Sequence, residues 1–181
     1  MANIAETWDA IAKLRLADPV ASAQAALELD TAVRVLGYSA VAVDGPADTS
    51  ENILATVPVV ALGANEGLIY EFQWTVTNNA NAKTARVRLN GVGGTVYSQR
   101  DLASGSGTSG RGRIHNRGAS NSQIGSMHIG MTHGGVAWTW GHVTSSIDMS
   151  GTVNVVFTAQ KASAGDLMRL ETYSVIKVMA P

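Results

Sequence analysis

The chain has 181 residues, of which 15% are charged, with 19 glycines, no cysteine and a formal net charge of −1. Without cysteine there is neither a disulfide nor a thiolate metal site, so stability has to come from packing or from oligomerisation. No apolar run approaches the roughly 20 residues that span a bilayer, the first ten residues lack the basic start and apolar stretch of a signal peptide, and the charge argues against duplex nucleic acid; the chain reads as soluble and made in the cytoplasm, with no membrane and no nucleic acid among its partners.

The small net charge hides an asymmetry. Residues 1–50 hold three basic and seven acidic residues, a net −4, and residues 51–181 hold ten and seven, a net +3. Seven of those ten basic residues lie between Lys83 and Arg117, where Asp101 is the only acid. This locally basic stretch includes Arg111 and Arg113, which are candidates for contact with a partner.

Residues 1–37 read as helical. Asp18-Pro19 is a start signal and Gly37 a stop signal, and between them Ala25, Leu29, Ala32 and Leu36 recur at the spacing of one helical face. Ile4, Trp8 and Ile11 repeat that spacing upstream. Helices this short are marginal alone in water, so they dock either on their own β domain or on symmetry mates and a larger assembly. Trp8, Ile11, Leu29 and Leu36 are the candidate contact residues. Tyr38 to Ser50 is small, acidic and broken by Gly45-Pro46, the composition of a linker or extended arm. Residues 1–50 are therefore expected to form an anchoring arm and residues 51–181 a separate β domain.

Beyond residue 50 the strand signals come at short intervals. Ile53 to Val60 is a strand that Pro58 confines to a sheet edge. Leu68, Tyr70, Phe72, Trp74 and Val76 alternate with Glu71, Gln73 and Thr75; Ala85, Val87 and Leu89 alternate with Thr84, Arg86 and Arg88. That is the period of strands with one buried face. The intervening Asn78-Asn79-Ala80-Asn81-Ala82 suits a tight turn, so the two strands are expected to pair as an antiparallel hairpin. Val92 to Arg100 is a further strand. The glycine- and serine-rich span from Ala103 to Arg113 reads as a mobile loop. Gln123 to Met131, Val136 to Val143, Val153 to Gln160 and Leu167 to Met179 complete eight or nine strands. The fold class is mainly β, an antiparallel sandwich of jelly-roll type with a short helical arm at the N-terminus.

Sites for chemistry are sparse. His115, His128, His133 and His142 show no spacing that brings metal ligands together, no Gly-X-Ser-X-Gly elbow or Gly-Lys-Ser/Thr occurs, and Glu66, Glu71, Asp101, Asp148, Asp166 and Glu171 show no local pairing. The expectation is no metal, no cofactor and no catalysis. Phe72 with Trp74, and Trp138 with Trp140, lie two apart on strands. Such pairs serve as a sugar-stacking platform or as core and interface, and alternation favours the second.

The order Leu62-Gly63-Ala64-Asn65, an aromatic strand, Thr77-Asn78-Asn79-Ala80-Asn81-Ala82-Lys83-Thr84, an alternating Arg/apolar strand and Gly93-Gly94-Thr95 resembles jelly-roll virion proteins of tailed bacteriophages. That group is similar in architecture to trimeric capsid decoration (cement) proteins and to head or tail fibre modules. The resemblance covers roughly residues 52–181 and implies a non-enzymatic homotrimer in the virion, assembled in the host cytoplasm and bound to the major capsid protein or another virion protein. Its alternative form implies a fibre module that recognises a host glycan or surface protein.

Overall fold

A computed structural model describes residues 33–103, 105–129 and 139–180, with backbone alone at 127–129 and 139–140. These residues form eleven strands and no helix: β1 (Val33–Ser39), β2 (Val43–Asp44), β3 (Asn52–Val60), β4 (Gly67–Val76), β5 (Lys83–Leu89), β6 (Thr95–Asp101), β7 (Gly107–Asn116), β8 (Gln123–Ile129), β9 (Thr139–Ser145), β10 (Thr152–Lys161) and β11 (Met168–Val178). Hydrogen bonding runs in the order β1-β11-β4-β7-β8-β6-β5-β10-β3, with β2 on β11 and β9 on β8. An open sheet this wide curls and packs on itself. Here β8 is the corner: its start pairs antiparallel with β7 and its end pairs parallel with β6, which carries the chain from one layer to the other. The other ladders are antiparallel.

The core between the layers is the one the alternation predicts. Leu68, Tyr70, Phe72, Trp74 and Val76 are buried from β4, Ala85, Val87 and Leu89 from β5, and Val155, Phe157 and Val175 meet them from β10 and β11. The partners of β4 and β5 differ from expectation. They do not form a hairpin: β4 lies between β11 and β7, and β5 between β10 and β6, in opposite layers. Alternation reports which face is buried and says nothing about which strand lies alongside. The asparagine-rich connection crosses between the layers and is pinned there. Asn79 and Asn81 donate to the Asp166 carboxylate at 2.7 and 3.1 Å, Lys83 Nζ donates to Asn79 Oδ1 at 2.6 Å, and Lys161 Nζ donates to the Asp166 carbonyl at 2.7 Å.

The glycine-rich loop expected over 103–113 is in large part the central strand β7. Gly110 and Gly112 face inward, in register with Phe72 and Tyr70, whose rings lie where Cβ atoms at those positions would sit. The glycines are there to admit aromatic rings across the ladder, a pairing that composition alone reads as flexibility.

A third difference lies at the start of the described chain. The helix expected to reach Leu36 does not: residues 33–39 are strand β1, paired antiparallel with β11. Val33, Arg34 and Val35 alternate, and β-branched residues suit a pleated surface better than a helix. A bulge between Val35 and Gly37 turns Leu36 onto the core. The stretch expected to be a linker continues along β11 through β2, with Asp44 paired to Arg169 and Gly45 N donating to the Met168 carbonyl at 2.8 Å. The helical face expected over Trp8, Ile11 and Leu29 lies outside the described residues. β3, with Pro58, is the last strand of the sheet, as the proline requires.

Candidate functional site

Each layer has an outer face. On the layer of β3, β10, β5 and β6, the outward arginines of β5 fold over the sheet and close it with a carboxylate. Glu51 accepts from Arg88 through both oxygens, at 2.7 and 2.9 Å, and from Thr158, and lies 3.0 Å from Arg86 Nη1. Arg86 reaches on to the side-chain oxygens of Gln99 and Gln160, at 2.9 and 3.1 Å. Burial of Glu51 opposes ionisation, but the bonds from Arg88 and Thr158 and the two guanidinium charges prevail and hold its pKa below the usual carboxylate value. These charges satisfy one another. The face is built for stability.

The other outer face is more open. Its rows follow from the ladder registers: Tyr38, Ser174, Glu71 and Arg111 lie across β1, β11, β4 and β7, and the next row is Val35, Ile176, Ile69 and Arg113. The face grades from apolar at β1 to cationic at β7. Arg111 and Arg113, singled out in the sequence, are brought together two residues apart and exposed. Arg111 Nε lies 3.3 Å from Glu71 Oε1, and both side chains are more than a third exposed, so the pair contributes little to stability. A shallow hollow of about 430 Å³ beside them is lined by Glu71, Gln73, Ser109, Arg111 and Thr172 among others. A second, of about 320 Å³, lies on the β8 side and is lined by Arg113, His115, Ile124, Ser126 and His142 among others.

Leu36 is apart from this face. It points between the layers and lines a groove of about 220 Å³ with Arg34, Val35, Pro58, Val60, Lys177 and Met179, where the two free edges of the sheet, β1 and β3, come side by side. Gly37 sits on Val57 there, the contact that closes the sandwich. Around the groove Val33, Val35 and Val60 are 52%, 62% and 70% exposed. Sequence reasoning missed this seam, because it follows from which strands end the sheet.

Phe72 and Trp74 are buried, so that pair is core and offers no sugar platform. Trp138 lies outside the described residues, and Trp140 stands in register opposite His128. His115 and His142 both line the second hollow. Among the described residues no three His, Cys, Asp or Glu side chains are grouped as a metal would require, and no helix is long and apolar enough to cross a membrane. A buried polar network joins β7, β8 and β9: Gln123 donates to Asn116 Oδ1 at 2.8 Å and accepts from Ser145 Oγ at 2.9 Å.

No family model matches the chain, and no curated protein matches it. Among solved structures it is similar to arcelin-5, a lectin-like defence protein from Phaseolus vulgaris, with 10% identity over 68% of this chain and 76% of that one and a TM-score of 0.39. It is similar to lectin I from Ulex europaeus, with 9% identity over 81% and 92% of the two chains and a TM-score of 0.37. With VP2 of the infectious bursal disease virus subviral particle it shares 11% identity over 81% of this chain and 33% of that chain, at a TM-score of 0.37.

Proposed function

We propose that this protein is a non-enzymatic structural component of a bacteriophage virion, a homotrimeric jelly-roll module that decorates the capsid and is acquired during assembly in the host cytoplasm. The observation that carries the proposal is the seam between β1 and β3. Two free sheet edges lie together, with Val33, Val35 and Val60 turned to solvent beside a groove of mixed character, in which Val35, Leu36, Pro58, Val60 and Met179 are joined by Arg34 and Lys177. Arg34 and the bulge of β1 and Pro58 of β3 discourage the addition of a further strand, so the exposed valines call for a covering that packs on their side chains. Copies of the same chain, with the major capsid protein beneath, are coverings that suit an assembly. The sequence resemblance over residues 52–181 points the same way.

Sedimentation of the full chain is expected to give a trimer, and Val35→Asp or Val60→Asp to give a folded monomer. Labelled protein should then bind phage heads in many copies. A wild-type chain that is monomeric at micromolar concentration and does not associate on particles overturns the proposal. The second reading, a fibre module that binds a host glycan, is favoured by the cationic outer face alone; label at the tail tip in place of the head would select it.

A further inference from the structure

β7 and the residue after it read Arg111-Gly-Arg113-Ile-His115-Asn-Arg117. The alternate positions Gly112, Ile114 and Asn116 are buried, so a rigid ladder fixes the direction of the others. Arg111, Arg113 and His115 are thereby presented along one line at about 6.6 to 7 Å intervals, and exposed Arg117 follows just past the strand end, where its backbone N–H donates to the Ser122 carbonyl at 2.8 Å. Among the described residues Arg111 has its ion pair with Glu71, and none of the ion pairs involves Arg113 or Arg117. Arg113 instead lies in register with Ile69, and its backbone N–H donates to Ser126 Oγ at 3.4 Å. Arg113 and Arg117, two exposed cations without an ion pair among the described residues, in a chain whose net charge is −1, are not explained by solubility.

We infer that this row is a binding site for an extended anionic polysaccharide, one that carries sulfate, phosphate or carboxylate groups along its length. Arg113 and Arg117 take the anionic groups in charge-assisted, fork-shaped hydrogen bonds. The hollows on either side place an amide and hydroxyls where sugar hydroxyls need partners: Gln73, Ser109 and Thr172 on the β4 side, Ser126 on the β8 side. A polysaccharide fits better than a single-stranded nucleic acid. The described outward side chains of β4 and β8 beside the row are Ile69, Glu71, Gln73, Ile124 and Ser126, with no Phe, Tyr or Trp on which a base would stack.

The test uses the full chain against three probes: dextran sulfate, neutral dextran and a single-stranded oligonucleotide. Binding to dextran sulfate is expected to weaken with salt, with none to neutral dextran and weaker binding to the oligonucleotide at equal charge. The double variant Arg113→Ser/Arg117→Ser should lose at least about tenfold in affinity for dextran sulfate while it melts like the parent, since two charge-assisted contacts are removed from an exposed face. Arg34→Ser, beside the β1–β3 groove, should bind as the parent does. The inference falls if dextran sulfate does not bind, if the double variant binds it as tightly as the parent, or if the oligonucleotide binds equally well. It does not rest on the assembly proposal: a monomer that binds dextran sulfate, or a trimer that does not, tells the two apart.

Discussion

Tyr70 stands opposite Gly112 in the β4–β7 ladder, and its ring fills the space where a side chain at position 112 would begin. Its hydroxyl donates to the Tyr97 carbonyl at 3.0 Å, and burial pushes the phenol pKa up, so the group stays a neutral donor. Tyr97 in turn covers Gly125 of β8. Gly112→Ala is expected to destabilise the protein by about 1 to 3 kcal/mol through overpacking, and Gly110→Ala, beneath Phe72, by a similar amount. Urea unfolding of the two variants measures this. Parental midpoints would mean that the rings do not occupy those positions.

This pairing also explains what was and was not legible in the sequence. The inward faces of β4 and β5 were, because period-two burial is written in residues one strand long. The ladder partners were not, because they depend on residues far apart in the chain: Trp74 meets Leu170 on one side and Thr108 on the other. β7 was hidden because its inward glycines make sense only with Tyr70 and Phe72 in view. Of the candidate contact residues, Arg111 and Arg113 reach an open face, on a strand whose composition is that of a loop. Leu36 belongs to a different seam, and its helical spacing with Ala32 is overridden by the edge of β11 on which β1 pairs.

Trp74 is buried in the core cluster, at 2% exposure. Trp74→Ala is expected to cost about 3 to 5 kcal/mol. Glu71→Ala, on the opposite face of the same strand, should change stability by about 0.5 kcal/mol or less, because its partner Arg111 is equally exposed. Thermal melts of the pair separate inward from outward, and equal losses would contradict the assigned faces.

Acid should unfold this protein through its paired carboxylates. Glu51 is held below its ordinary 4.5 as described above, and Asp166 below 3.8, chiefly by the hydrogen bond from Asn79. A depressed folded-state pKa contributes stability in full above the unfolded-state value and loses it as pH falls through the folded-state value. Stability to urea is therefore expected to be flat from neutral pH to about 5 and to decline below that, as these carboxylates protonate. Glu51→Gln should be less stable at pH 7 and decline less steeply below pH 4.5. A variant whose acid decline matches the parent's would remove Glu51 from this role.

Where the chain is cut should decide what its first residues do. β1 and β2 extend one edge of β11, Leu36 packs on the core, Gly37 rests on Val57, and Asp44 holds Arg169. A truncation that begins at Val33 keeps all of these and is expected to unfold cooperatively with the stability of the full chain. A truncation that begins at Ser50 strips the edge from β11 and uncovers Val57, with an expected loss on the order of 3 kcal/mol from apolar exposure and broken ladder bonds. Urea unfolding of both reads the difference, and equal midpoints would show that β1 contributes nothing to the fold. The same proteins test anchoring. Under the proposed virion role, loss of particle binding in a folded Val33 truncation would assign the attachment to residues 1–32, and retained binding would assign it to the β domain, where the seam between β1 and β3 is the place to mutate next.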